Sequence, residues 1–106
     1  MLLLITRKLP LGTKWTGTQT ERQAVQNDFD RAENWGKINH RPIFMGEFGA
    51  YEKAEMNSRV LWTNYVARQA EVRSFSWAYW EFCAGFGVYD KYQSKWRSQL
   101  LKVLIP

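Results

Sequence analysis

Cysteine and histidine are scarce in this sequence, which has one of each among 106 residues. Cys83 has no second thiol to pair with, so an internal disulfide is excluded. A Cys/His metal site needs more ligands than Cys83 and His40 supply, and a thiol nucleophile needs a histidine base close by. No glycine-rich phosphate loop opens a helix. We therefore expect neither a metal ion nor a cofactor.

Long apolar runs and runs of one charge are also missing. No stretch approaches the ~20 apolar residues of a membrane span, so we expect no membrane partner. The apolar start, Met1–Thr6, is too short for a signal-peptide core. Its positive charges, Arg7 and Lys8, follow the apolar residues, whereas those of a signal peptide precede them. The net charge is +5, yet like charges never cluster as they do in nucleic-acid binders. A solvated basic surface is the favoured interpretation, with DNA binding kept as a third alternative.

Aromatic residues, by contrast, are abundant, at 16% of the chain and with six tryptophans. A chain of this length suits one domain, which buries roughly two thirds of the surface that its unfolded form exposes. Aromatic side chains in that number either fill the core or line a site for flat ligands such as sugar rings or bases.

The hydrophobic pattern predicts three helices that alternate with two strands. Thr18 followed by Glu21 is a capping-box signature, and it opens a helix that ends near Gly36. The apolar side chains of this helix recur at helical spacing: Val25, Phe29, Ala32 and Trp35. A second helix has the same period at Met56, Val60, Thr63, Ala67 and Ala70. A third is expected from about Ser94 to Leu104, with Trp96 and Leu100 on its buried face.

Two apolar runs between the helices are predicted to be strands. Pro42–Met45 is too apolar for a strand with one wet face, and Phe75–Trp80 is rich in aromatics. Leu2–Thr6 is a further short candidate. The order helix, strand, helix, strand, helix predicts an α/β fold whose parallel strands are joined by right-handed crossovers.

Glu47 and Trp80 both fall at the C-terminal end of a predicted strand, where ligands bind in parallel sheets. Burying a carboxylate such as Glu47 is costly unless it is paired or functional, and a hydrogen-bonded structural glutamate remains the alternative. Trp77 and Trp80 are three residues apart and therefore face opposite sides of a strand. We expect Trp77 in the core and Trp80 in a site, where it can stack on a sugar while Glu81 accepts hydroxyl hydrogen bonds. The alternative is that both tryptophans are core aromatics.

Three further side chains are weaker candidates. Tyr51 and Trp15 lie in predicted loops, where they either line a groove or pack beneath it. His40 precedes a strand, at the end of an α/β barrel that serves stability, so we expect it to be structural or exposed.

The motifs around these residues resemble glycoside hydrolase family 5. Arg41–Tyr51 (RPIFMGEFGAY) is similar to the seventh barrel strand of that family, and Phe75–Phe82 (FSWAYWEF) to the eighth. Gly85–Asp90 resembles the loop that follows, and Trp15–Thr18 matches ahead of the first helix. The resemblance implies that residues 10–106 form the C-terminal part of a (β/α)8 barrel, behind an unmatched segment, residues 1–9.

This resemblance implies a retaining endo-β-1,4-glucanase in which Glu47 is the nucleophile and Trp80 is the platform under the sugar. Glu81, Tyr51 and Trp15 complete the predicted substrate-binding set, and the partner is β-glucan or a cello-oligosaccharide. The family's acid/base lies in an Asn-Glu motif at the fourth strand, which this sequence does not contain. The parent enzyme would be secreted or periplasmic.

We therefore expect weak or no hydrolysis by the monomer. The alternative is a noncatalytic glucan-binding or structural barrel remnant. Because two or three strands cannot close a barrel, the sheet has two edges, and we expect a homo-oligomer to cover them.

Overall fold

The computed structural model describes the backbone of residues 2–4 and all of residues 12–106. Within these ranges the elements are β1 (Leu2–Leu4), α1 (Gln19–Asn39), β2 (Phe44–Phe48), α2 (Met56–Val72), β3 (Ser76–Tyr79), β4 (Tyr89–Asp90), β5 (Lys95–Trp96) and α3 (Ser98–Leu104). None of the helices described here combines the length and the apolar character needed to cross a membrane.

The first three strands form a parallel sheet in the order β1-β2-β3. Leu2 pairs with Phe44 on one side, and Phe44 pairs with Ser76 on the other. The predicted α/β architecture with parallel strands is therefore confirmed. Only the first part of the strand predicted for Leu2–Thr6 can be compared, because residues 5 and 6 lie outside the described ranges.

Helix α1 begins with the predicted capping box. The Thr18 hydroxyl accepts from the Glu21 amide at 3.2 Å, and the Glu21 carboxylate accepts from the Thr18 amide at 3.0 Å. The helix runs past Gly36, however, and ends at Asn39, where His40 takes a left-handed φ of 53°.

Trp35 was predicted to lie on the buried apolar face of this helix. That prediction is wrong, because the Trp35 side chain is exposed while Gly36 is buried. The chain that returns to β2 packs against the helix at position 36 and not at position 35: a Cβ on Gly36 would lie 2.9 Å from the carbonyl oxygen of Arg41. Only a residue without a side chain lets the returning chain pass this close to the helix.

The hydrophobic core lies between the sheet and the three helices. Its largest fully buried apolar side chains are Phe29, Met45, Leu100, Val25 and Val66. Trp77 and Tyr79 pack against the same cluster from β3, and Trp77 lies edge-on to Phe48 with ring centroids 5.3 Å apart. The core assignment of Trp77 is confirmed.

The last helix is shorter than predicted. It begins at Ser98 rather than near Ser94, because Ser94 has a left-handed φ of 52° and Lys95–Trp96 pairs with Tyr89–Asp90 as an antiparallel hairpin. Trp96 is therefore not on the buried face of a helix. The helix instead buries Leu100 and Leu104.

Candidate functional site

Glu47 and Trp80 lie on adjacent strands at the C-terminal edge of the sheet. Phe48 of β2 pairs with Tyr79 of β3, and the Trp80 amide donates to the Phe48 carbonyl at 2.8 Å. The rings of Phe48 and Tyr79 meet edge to face on the helix side, with centroids 5.5 Å apart. Side chains alternate along a strand, so their neighbours Glu47 and Trp80 point to the opposite side. Both are exposed there.

We call this side the open face of the sheet, made by Phe44, Glu47, Ser76, Ala78 and Trp80, all of which are exposed. Among residues 12–106, the Glu47 carboxylate has neither a hydrogen bond nor an ion pair. It is therefore free to meet a ligand that approaches this face.

A β-bulge gives Glu47 its direction. Met45 pairs with Trp77 and Phe48 pairs with Tyr79, so two residues of β2, Gly46 and Glu47, face the single Ala78 of β3. Met45 and Phe48 are both buried, although residues three apart on a regular strand face opposite sides. The extra residue changes the alternation and leaves Glu47 on the open face, a device often found next to active sites.

Gly49 allows β2 and β3 to meet closely just beyond the site. A Cβ at Gly49 would collide with the carbonyl oxygen of Trp80. The backbone that carries Trp80 can therefore lie against β2 only if position 49 has no side chain. The Trp80–Glu81 peptide that follows is cis.

We expect Gly49→Ala to lower the free energy of unfolding by about 3 kcal/mol, since the colliding atom is rigid backbone and the strand end must move. Urea denaturation followed by circular dichroism measures the loss. Gly85→Ala is the matched control, because its Cβ would meet only the ring edge of Tyr51, at 3.0 Å. Equal stability of Gly49→Ala and the wild type would show that this close approach does not exist in solution.

Glu81 stabilises its own loop. Its carboxylate accepts from the Ala84 amide at 2.6 Å and from the Phe86 amide at 3.2 Å. Desolvation raises the pKa of Glu81, but the loop amides outweigh it and the net pKa is lowered. The predicted hydroxyl-binding role therefore competes with a structural role for the same oxygens.

Two arginines that no sequence motif indicates hold the loop from the other side. Arg97 donates to the carbonyl of Gly87 at 2.8 Å and to that of Tyr89 at 3.2 Å. Arg59, buried on α2, lies 3.4 Å from the same Gly87 carbonyl, and burial lowers the pKa of its guanidinium. The signal for Arg59 was its place four residues before Thr63, on the buried face of α2.

The other two predicted substrate contacts differ in exposure. Tyr51 follows β2 and packs on Phe86 of the neighbouring loop, with centroids 5.3 Å apart, and it stays exposed at the rim. Trp15 is only 7% exposed, its ring lies 5.8 Å from that of Tyr65, and its amide donates to Ser58. Trp15 was expected either to line a groove or to pack beneath it, and the structure favours packing. Trp15 is therefore not available to a ligand.

A cleft of about 520 Å³ lies at the other end of the sheet, between the end of α1 and the starts of β2 and β3. It is lined by charged side chains such as Lys37, Arg41 and Arg73, and Arg73 is already paired with Asp30 and Glu33. The cleft is remote from Glu47. Within the described ranges, no three His, Cys, Asp or Glu side chains are grouped as metal ligands would be.

Comparison with known proteins shows which protein family this chain matches. Residues 10–85 match the family model described as cellulase, glycosyl hydrolase family 5. Endoglucanase B of Clostridium cellulovorans is 29% identical over 97 residues, which cover 81% of this chain.

Solved structures give a closer match. Endoglucanase Cel5A of Thermotoga maritima is 50% identical, with a TM-score of 0.84 over 90% of this chain. The Clostridioides difficile cellulose synthase subunit Z is 40% identical, with a TM-score of 0.84 over 89% of this chain. These neighbours are TIM barrels, so the predicted partial (β/α)8 barrel is confirmed.

The match covers only a part of each relative. The chain spans 22% of endoglucanase B, 30% of the Thermotoga maritima structure and 31% of the Clostridioides difficile structure. The Thermotoga maritima enzyme has been solved in complex with cellobiose and with mannotriose. Those complexes describe that protein, and they suggest which ligands to test on this one.

Proposed function

Since the chain belongs to the cellulase family, glycosyl hydrolase family 5, we propose that it supplies the nucleophile side of a retaining β-1,4-glucanase active site. The observation that carries this proposal is the placement of Glu47. Its carboxylate is exposed on the open face of the sheet, near the end of β2, and the exposed Trp80 directly follows the last residue of the neighbouring β3. A retaining glycosidase needs a carboxylate as its nucleophile, and an aromatic ring at the same edge can pack on the apolar face of the reacting sugar.

In this mechanism a Glu47 oxygen attacks the anomeric carbon of the sugar that lies on Trp80. The bond from that oxygen to carbon forms as the glycosidic carbon–oxygen bond breaks, and a general acid gives its proton to the leaving oxygen. Water then attacks the glycosyl ester, gives its proton back to the same group, and releases Glu47 as a carboxylate.

We propose that the general acid comes from outside the described residues. In a retaining enzyme the two carboxyl groups lie about 5 Å apart on either side of the scissile bond. Glu81 is next to Trp80 in sequence, but both of its oxygens are engaged by the amides of Ala84 and Phe86. We propose that hydrolysis needs the remaining barrel strands, which hold the family's acid, and that residues 10–106 are the barrel-derived unit.

Reconstitution tests this function. The chain is mixed with the part of the Thermotoga maritima barrel that it does not cover, and hydrolysis of barley β-glucan is followed by the release of reducing ends. We expect turnover from the mixture and little or none from either part alone, because each lacks one of the two carboxylates. Robust turnover by this chain as a verified monomer would contradict the proposal.

A noncatalytic glucan-binding role is the second candidate. The observation that favours it is the engagement of Glu81 by the loop amides, which leaves Glu47 and Trp80 without the help of the carboxylate that follows Trp80. If the reconstituted mixture binds cello-oligosaccharides without hydrolysing them, and Glu47→Gln changes nothing, this second function replaces the first.

We also propose that copies of the chain associate through the part of the open face that contains Phe44, away from the edge with Glu47 and Trp80. Phe44 is 47% exposed there, and hydrophobic burial gains about 25 cal/mol for every Å² removed from water. Light scattering at micromolar concentration should give at least twice the monomer mass of 12.6 kDa. Phe44→Glu should reduce that mass, whereas Leu61→Glu, at an equally exposed position on α2, should not. A stable wild-type monomer would contradict this proposal.

A further inference from the structure

Three aromatic side chains pack on one another in the loop and hairpin that follow Trp80. Phe82 stacks on Tyr89 with ring centroids 5.5 Å apart and an interplanar angle of 5°. Trp96 lies steeply inclined to both, at 5.7 Å from Phe82 and 5.2 Å from Tyr89. We call Phe82, Tyr89 and Trp96 the aromatic triad. It lies outside the hydrophobic core, and Phe82 and Trp96 remain 56% and 48% exposed.

The backbone holds the aromatic triad in a fixed arrangement. Tyr89 and Trp96 are paired across the β4–β5 hairpin, and the Tyr89 amide donates to the Phe82 carbonyl at 2.8 Å. The Arg97 side chain also donates to the Tyr89 carbonyl. A surface ordered in this way loses little further conformational freedom when a ligand binds, so more of the contact energy appears as affinity.

Exposed aromatic rings in one patch indicate an interaction site, since burying them would otherwise have stabilised the fold. About half of the Phe82 and Trp96 side chains is exposed, and exposed aromatic carbon suits the axial C–H faces of pyranose rings. The aromatic triad also begins beside the proposed site: Phe82 is two residues after Trp80, and two residues span at most ~7 Å. A glucan chain that leaves the Trp80 ring toward this loop would therefore meet the aromatic triad.

We propose that the aromatic triad is an outer sugar subsite, which binds a β-glucan chain beyond the unit that rests on Trp80. This inference rests on the proposed function, because it takes the ligand to be a polymer that already occupies Trp80. Its consequence is that affinity grows with chain length. Short oligosaccharides that reach only Trp80 gain nothing from the aromatic triad.

The test is titration calorimetry of the full chain with cello-oligosaccharides from cellobiose to cellohexaose. We expect cellohexaose to bind more tightly than cellobiose, and Phe82→Leu to lose about tenfold in affinity for cellohexaose while cellobiose binding is unchanged. Trp96→Leu, the second variant, should show the same selective loss if Phe82→Leu proves unstable. Tyr92→Leu is the matched control, because Tyr92 is 86% exposed on the same hairpin and its ring partner is Lys91.

Equal affinity of wild type and folded Phe82→Leu or Trp96→Leu for cellohexaose would overturn the subsite, and so would a wild-type affinity that does not rise with chain length. Failure of the proposed function has a different signature. If Trp80→Ala binds cellobiose as the wild type does, the Trp80 platform is wrong, and the subsite that depends on it is overturned as well.

Discussion

Glu47→Gln is expected to lower hydrolysis by the reconstituted barrel by about 10³-fold or more, because removing one member of a cooperating catalytic set costs orders of magnitude in rate. The amide of glutamine has nearly the shape of the carboxylate but cannot attack the anomeric carbon. Since Glu47 is exposed and lies outside the core, the fold should not change. Initial rates on barley β-glucan measure the effect, and circular dichroism verifies the fold.

Glu81→Gln is the matched control, since it removes the other carboxylate of this edge. Its carboxylate accepts from loop amides, so its loss should loosen the loop and reduce the rate far less than Glu47→Gln does. A covalent test is available as well: a 2-fluoro glucoside that forms a slowly hydrolysed glycosyl ester should label the peptide that contains Glu47. A rate that survives Glu47→Gln, or a label on another residue, would assign the nucleophile elsewhere.

The placement of Glu47 and Trp80 could be predicted because it depends on local patterns. The capping box at Thr18 and the helical spacing after it define α1, and the apolar run Pro42–Met45 locates β2, although that strand begins at Phe44 and continues to Phe48. Once two strands are parallel neighbours, their C-terminal residues must meet at one edge. The sequence alone therefore brings Glu47 and Trp80 together.

Features set by tertiary packing were missed. Trp35 suits the apolar face of α1 by period, but the close approach of the Arg41 carbonyl selects Gly36 for the buried position. Trp96 likewise fits a helical period with Leu100, yet it pairs with Tyr89 in a hairpin. Periodicity cannot separate these outcomes, because the four-residue spacing of Trp96 and Leu100 is the same whether Trp96 belongs to the helix or to a hairpin before it.

The polar network behind the site was also invisible in the sequence. Arg59 and Arg97 are 38 positions apart, and they meet only because α2 and the start of α3 both reach the Gly87 carbonyl. Glu81 looked like a ligand contact because it follows Trp80, and its bonds to the loop amides depend on a fold that composition does not reveal. The partners of these charged residues are set by the tertiary fold, and local sequence spacing does not reveal them.

Trp80→Ala is expected to weaken the binding of cello-oligosaccharides by about 100-fold, because it removes a ring that would bury one face of a sugar. Trp80 is 51% exposed and lies outside the core cluster, so the variant should keep its fold. Titration calorimetry with cellobiose and cellotetraose measures the change.

Trp35→Ala is the matched control for Trp80→Ala. It also removes an exposed tryptophan, but from α1, away from the open face, so it should leave the affinity unchanged. The comparison separates a loss of stacking from a general loss of aromatic surface. If a folded Trp80→Ala binds both sugars as the wild type does, the ring is a surface aromatic without a role in binding.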